Sequence, residues 1–569
     1  MVVVEVAWER MARTPRYAVR AAQSAWARWC RYDFTGLSIA VAFFCMSLTP
    51  SLLPRGPLLQ GVISGISTTI GYAVGVLVGF LARLVVRKPP PERVRLLAWW
   101  TLSLGGGTAM VFFLYAGAQW QQDIRTLLGD TALTPYHSLA IVTIALLLAA
   151  AVIAVARTLR GTARWLALGL TRLVPPQVAA VLGMVLVLLA SAVLARAVVY
   201  GGLLHAANVA FSDLNNETRP GHRAPTNPLL AGSYASLVPW ASLGRTGRNF
   251  VSSAPTVREL TAFNDRPATQ PIRTYVGLAS APTLSAEAAL AVRELERVGA
   301  FQRKILLVVT STGTGWVDSN AVAALEYLYN GDVATVSMQY SYLPSWISFL
   351  VDRQRAERAG QILFDAVYER WRRIPAAVRP KLLVFGVSLG AYGSQAAFSG
   401  VDDLVRRTDG ALWEGTPNSA TLWQSLVAGR DPGSREILPA YDRGATVRFG
   451  GTWHDLARPD TRWRTPRVVY LQHASDPVVW WSPSLILHKP DWLAERRGAD
   501  VSPAMRWYPF VTFLQVTADL AWTTSISDVH GHDYQTAAAG AWPQIAPVAG
   551  WSVTDTNRLE RVLADRPRF

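Results

Sequence analysis

Ser388 stands in Gly386-Val387-Ser388-Leu389-Gly390, directly after the apolar run Leu382–Phe385 and directly before the small-residue stretch Ala391-Tyr392-Gly393-Ser394-Gln395. A G-x-S-x-G between a strand and a helix forces its serine into a tight, strained turn, and the small flanking residues leave room for neighbouring backbone. The helix that follows points its first N–H groups at the same spot. The chemistry to expect is nucleophilic attack on a carbonyl; the bland alternative is a tight turn with an idle serine.

A serine hydroxyl needs a base, and the base needs an acid to orient it. In an elbow of this kind the three follow in the order Ser, Asp or Glu, His. The eight histidines are at 137, 205, 222, 454, 473, 488, 530 and 532, so only those from 454 onward qualify. The apolar run Val468–Leu471 leads through Gln472-His473-Ala474-Ser475 to Asp476-Pro477, which places an acid just past a strand tip. A simple Asp-Pro turn is the competing reading. His488 follows Asp476 too closely for a further helix and strand, leaving Val529-His530-Gly531-His532-Asp533-Tyr534. His532 is the expected base, with His530 in reserve. The oxyanion of the reaction needs two N–H donors. One is that of Leu389. The other is expected in the Gly/Thr-rich turn after Val308-Val309, Thr310-Ser311-Thr312-Gly313-Thr314-Gly315-Trp316, at Thr314 or, nearly as well, Gly313. That turn lacks the Lys-Ser/Thr of a phosphate loop. His530-Gly-His532-Asp533 lacks the further ligands a metal needs, so neither metal nor cofactor is expected.

These residues need a sheet to hold them. From Pro271 short apolar strands (272–278, 305–310, 334–339, 382–385, 411–414, 468–471) alternate with helical patterns (285–298, 320–329, 353–371, 391–398). This predicts an α/β domain over 271–569 with a mostly parallel sheet covered on both faces, and a possible cap at 418–465. Residues 208–270, polar and rich in Pro, Gly, Ser and Asn, read as a linker or docking segment. Its apolar piece 236–248 reads as a loop packed for stability, or as a segment docked on the membrane face or on the domain that follows.

The first third has another character. The 569 residues are 51% hydrophobic and only 17% charged, against about 25% charged for a soluble chain. Mean hydropathy is +0.20. Two cysteines, Cys30 and Cys45, exclude a disulfide scaffold. The net charge of +16 is uneven: residues 1–206 carry 18 Lys and Arg against 6 Asp and Glu, the remainder 37 against 33. Arginines beside apolar runs read as membrane topology signals, so no nucleic-acid partner is expected. The runs Leu58–Val86, Leu96–Ala118, Leu139–Ala156 and Val178–Ala195 are long enough, or nearly so, to cross a bilayer, and Gly36–Pro50 is a shorter fifth candidate. This predicts a transmembrane bundle of four to five helices over 35–207 behind a basic cytoplasmic tail at 1–34. Segments 87–95 and 157–177 are basic and 119–138 is not. The positive-inside rule therefore puts the first two in the cytoplasm and delivers everything after Val178 to the outer side. No intramembrane carboxylate pair suggests transport, so an anchor is the preferred reading. Gly105-Gly106-Gly107 is expected to permit close helix packing.

Together Thr312–Trp316, Gly386–Gly390, Ala411-Leu-Trp-Glu-Gly-Thr-Pro417, Asp476-Pro477 and Gly531–Tyr534 make the chain resemble bacterial membrane-anchored alpha/beta-hydrolase family proteins with a multi-helix N-terminal domain. The resemblance implies the fold, a serine-hydrolase triad and a membrane location, and supplies no substrate. Glu414 and the doubled histidines leave the triad unchanged. The expected function is an integral-membrane serine hydrolase of esterase, lipase or thioesterase type, acting on an acyl ester on the outer side of the cell membrane, with the lipid bilayer as its partner. Membrane tethering and Trp346, Trp453, Trp480 and Trp481 point to a lipid or cell-envelope substrate. An acyltransferase with the same triad and a non-catalytic membrane scaffold are the alternatives. Oligomeric state is not legible.

Overall fold

The computed structural model describes residues 32–86, 90–129, 137–522, 530–534 and 536–567. The basic tail therefore lies outside the described residues, except for its last three. The chain divides into two compact units, residues 1–49, 55–120 and 134–197 in one and 50–54, 121–133 and 198–569 in the other.

Among the described residues four helices are long and apolar enough to cross a membrane: Pro57–Val85, Glu92–Leu127, Ser138–Leu170 and Pro176–Asn216. The fifth candidate is the helix Phe34–Ser47, 14 residues long. At about 1.5 Å per residue it falls short of a hydrocarbon core of about 30 Å. Asp33 caps it, its carboxylate accepting the Gly36 N–H at 3.0 Å. Side chains such as Phe80, Leu104, Phe112, Leu147 and Leu188 face outward, where a soluble protein would carry charge. Of the three consecutive glycines only Gly106 lies against another helix, a Cβ there standing 3.5 Å from Val41 Cγ1, and the tightest packing is at other glycines. At Gly75 a Cβ would stand 2.4 Å from the Thr35 carbonyl oxygen, and at Gly71 2.7 Å from Phe43 Cβ. Gly105 and Gly107 have open space where a side chain would go. The reason is period: Gly71, Gly75 and Gly79 recur every fourth residue on one helix face, whereas three consecutive glycines point in three directions.

The second unit is built on a seven-stranded sheet, every pair parallel, in the order β1-β3-β2-β4-β5-β7-β6. The strands are β1 Ile272–Val276, β2 Ile305–Thr310, β3 Val333–Met338, β4 Lys381–Val387, β5 Gly410–Glu414, β6 Val447–Gly450 and β7 Arg467–Leu471. Nearly every residue in them is buried, which is why they read as unbroken apolar runs. The expected α/β class and parallel sheet are what the structure has. β6 is the strand that sequence reading misses. Its four residues, Val-Arg-Phe-Gly, contain an arginine and fall inside the 418–465 stretch where a cap was expected. Arg448 is buried there because its guanidinium donates to the carbonyls of Gly444, Leu456 and Thr461 at 3.0, 2.7 and 2.7 Å.

The 208–270 stretch is more ordered than a tether. Leu204–Asn216, Gly244–Ser252 and Val257–Asn264 are helical. Leu230, Val238, Leu243, Phe250 and Leu260 lie in the same apolar core as the sheet. Buried Arg248 donates through Nη2 to the carbonyls of Asn215, Asn216 and Glu217, at 2.9–3.0 Å, satisfying the C-terminal end of the first of these helices. The short segment Pro50–Pro54 also belongs to this unit. The Ser51 hydroxyl and the Leu52 N–H donate to the buried Asp519 carboxylate.

Candidate active site

β4 ends at Val387, and the next residue, Ser388, has φ 56° and ψ −125°. A left-handed backbone at a non-glycine residue costs roughly 1–3 kcal/mol and persists only where the surroundings impose it. Here the Ser388 N–H is held by the Glu414 carbonyl of β5 at 2.8 Å. The helix Leu389–Gln395 starts at once, so the sheet is crossed by a turn with no spare residue. Gly390 makes the crossing possible, since a Cβ there would sit 2.3 Å from the Thr310 carbonyl oxygen of β2.

Asp476 follows β7 and is fully buried. Its Oδ1 accepts the Val478 N–H at 2.8 Å. Its Oδ2 lies 2.7 Å from His532 Nδ1 and also accepts the Tyr534 hydroxyl at 2.7 Å. Gly415, with φ +55°, lets the imidazole in: a Cβ there would lie 2.5 Å from His532 Cε1. The Tyr534 hydroxyl also accepts the His473 N–H at 3.0 Å, and its ring stacks on His473 with centroids 4.3 Å apart. Burial and the Asp476 charge push the Tyr534 phenol well above its ordinary range, so it remains a donor. Tyr534 is the participant that sequence reading did not single out. Its place two residues after His532 was the available signal.

Ser388 and His532 line one cavity of about 540 Å³, together with Thr312, Thr314 and Leu389. No hydrogen bond joins the serine hydroxyl to the imidazole among the described residues, as is common in unliganded sites. Both residues expected to supply oxyanion donors, Leu389 and Thr314, line this cavity. The Gly313 N–H is occupied by Ser345 Oγ at 3.2 Å. The Thr314 and Leu389 N–H groups donate to no protein acceptor among the described residues. His530 does not line this cavity.

Trp316, Trp346, Phe349 and Leu520 make much of the wall apolar. Of the four tryptophans read as substrate signals, only Trp346 belongs here. Trp480 and Trp481 are buried in the core, and Trp453 Nε1 donates to Glu560 at 2.7 Å. Trp480 stands in the turn just past Asp476 and fills space against Trp423 and Trp492.

Two carboxyls beside the site are held protonated more readily than usual. Burial pushes Asp318 up to about 6, against the pull of the Ala321 and Asn320 N–H groups that it caps. Glu414 is fully buried with neither carboxyl oxygen bonded among the described residues, and burial, then Asp318 and Asp533, hold it well above the carboxylate range. Among the described residues no group of three or more His, Cys, Asp or Glu side chains is arranged to hold a metal.

Two family profiles match the chain. One, described as "Alpha/beta-hydrolase family", covers residues 272–559, and the other, "Alpha/beta-hydrolase family N-terminus", covers 48–255. No curated protein and no solved structure gives a match.

Proposed function

We propose that this chain, which belongs to the alpha/beta-hydrolase family, is an integral-membrane serine hydrolase that cleaves acyl esters or thioesters. The observation that carries the reading is one cavity shared by a serine in a strained turn and an imidazole whose far nitrogen is bonded to a buried carboxylate. Asp476 orients His532 by holding Nδ1, which leaves Nε2 as the base. His532 takes the Ser388 proton as Oγ attacks the acyl carbonyl. The Leu389 and Thr314 N–H groups receive the charge that develops on the carbonyl oxygen, and each such donor is worth about 3–4 kcal/mol of barrier. Collapse expels the alcohol or thiol, which takes the proton from His532. Water, deprotonated by the same imidazole, then releases the acid and restores the serine. The apolar wall suits an acyl chain, so a lipid or cell-envelope ester is the substrate class.

Residues 35–207 serve as the membrane anchor, with the hydrolase domain on the outer side of the cell membrane. Charge supports this orientation: the basic segments 87–95 and 157–177 belong to the helical unit. Residues 50–54 and 121–129, which the same rule assigns to the outer side, are part of the compact unit that contains the sheet.

A fluorophosphonate probe tests the chemistry directly. The full-length protein in detergent should be labelled, and Ser388→Ala should abolish the label. A wild-type protein inert to the probe would overturn the proposal in favour of a non-catalytic scaffold.

A further inference from the structure

A second cavity in the sheet-containing unit, of about 980 Å³, shares no lining residue with the one at Ser388. Four arginines line it: Arg435, Arg458, Arg496 and Arg497. None lies within ion-pair distance of a carboxylate among the described residues. Nearby Arg430 behaves differently: its Nη2 is paired with Asp491 and Glu495 at 2.8 and 3.0 Å. The cavity's two acids are engaged in holding backbone. Asp455 Oδ2 accepts the N–H groups of Gly451 and Thr452 at 3.0 and 2.9 Å, and Asp500 Oδ2 accepts that of Ser475 at 2.8 Å.

Arg497 shows the charge imbalance most clearly. Its Nη2 donates to the Met505 and Leu493 carbonyls at 2.7 and 3.4 Å, while its Nε is buried with no partner among the described residues. Burial and neighbouring Arg506 lower its pKa. Four arginines on one cavity wall, none of them paired with a carboxylate among the described residues, suit an anion with several acceptor oxygens. A single carboxylate satisfies one guanidinium fork. The tetrahedral oxygens of a phosphate accept from several.

We propose that this cavity binds a phosphate-bearing ligand through Arg435, Arg458, Arg496 and Arg497. Its wall also includes His473 and Ala474, in the turn that leads to Asp476. That turn is tied to the base loop: Ser475 Oγ accepts the Gly531 N–H, and His473 Nδ1 meets the Gly531 carbonyl, both at 2.9 Å. A ligand here therefore rests against the support of the acid–base pair without reaching the serine. Its binding does not depend on the hydrolase reading.

The test uses the full-length protein in detergent at about 150 mM salt, where weak surface attraction is screened. Calorimetric titration with inorganic phosphate and with sn-glycerol 3-phosphate forms one arm. Binding of a fluorescent phosphatidylglycerol, with phosphatidylcholine as the control, forms the other. Saturable binding is expected in at least one arm, weakened at least about tenfold by the double variant R458Q/R496Q and unchanged by Ser388→Ala. Arg458 and Arg496 are exposed and their side chains donate no hydrogen bond among the described residues, so both replacements should fold. If the double variant melts at a lower temperature than wild type, R458Q alone decides, and it must still weaken binding. A soluble phosphate ester that binds identifies a free ligand, and binding confined to phosphatidylglycerol identifies a lipid headgroup. Either supports the site. Absence of saturable binding in both arms, or an affinity indifferent to the arginine variants, overturns it.

Discussion

Tyr534 donates its hydroxyl to the same Asp476 oxygen, Oδ2, that faces His532 Nδ1, each at 2.7 Å. One carboxylate oxygen thus takes two partners from a single loop two residues apart, while the other oxygen holds the Val478 N–H at 2.8 Å. The buried charge is matched on both sides, and the imidazole ring is fixed from one edge.

Tyr534→Phe follows from that arrangement. Removing a hydrogen bond to a charged group costs about 1.5–3 kcal/mol where the group stays buried. Without the phenol, the Asp476 carboxylate is held by one partner fewer and positions the imidazole less firmly. We expect kcat to fall about tenfold or more with KM nearly unchanged, measured on a p-nitrophenyl ester. A purely structural tyrosine would lower the folded fraction and leave kcat per folded molecule where it is.

The doubled histidines give a sharper comparison. His532 lines the serine cavity, whereas His530 lines the arginine cavity. We expect His532→Gln to lower kcat by about 10⁴-fold and His530→Gln to leave it nearly unchanged, measured on one p-nitrophenyl ester under the same conditions. Equal losses in the two variants would contradict the assignment of His532 as base.

Asp318 makes stability depend on pH. Its carboxyl is raised from 3.8 to about 6, chiefly by burial. An acid with a raised folded-state pKa favours the fold fully below its unfolded value, and that contribution is lost as pH rises through the folded one. The loss therefore falls between about pH 4 and pH 6, and a rise of this size corresponds to about 3 kcal/mol. Asparagine stays neutral and can still accept the Asn320 and Ala321 N–H groups. We expect Asp318→Asn to match wild type in denaturant midpoint near pH 4 and to exceed it at pH 7. A midpoint that changes by the same amount in both proteins across that interval would remove Asp318 as the cause.

The local parts of the site are legible in the amino-acid order. Gly386–Gly390 announces its own turn, because a strained serine between small residues is a property of adjacent backbone. Asp476 is legible for a similar reason, as an acid just past an apolar strand. The strands of the sheet, β6 apart, are legible because burial on both faces writes unbroken apolar runs. β6 is not, since four residues including an arginine carry no such run, and only the carbonyls gathered around Arg448 allow it to be buried.

Other choices belong to the folded chain. Gly313 and Thr314 are near-equal candidates in sequence until the Ser345 hydroxyl, 32 residues away, takes the Gly313 N–H. His530 and His532 differ by two positions in one loop, and they line different cavities, His532 alone of the two lying beside Asp476 and Gly415. The tryptophans look like a substrate surface in sequence, and most prove to be packing. The four-arginine cavity is invisible there: Arg435, Arg458 and Arg496-Arg497 come from separate stretches of a chain in which arginine is common. By itself the sequence determined what depends on neighbours along the chain: the apolar spans, the strands and the serine elbow. Tertiary structure decided what depends on neighbours in space, since a hydrogen bond or an unpaired charge is settled by which distant groups share its few ångströms.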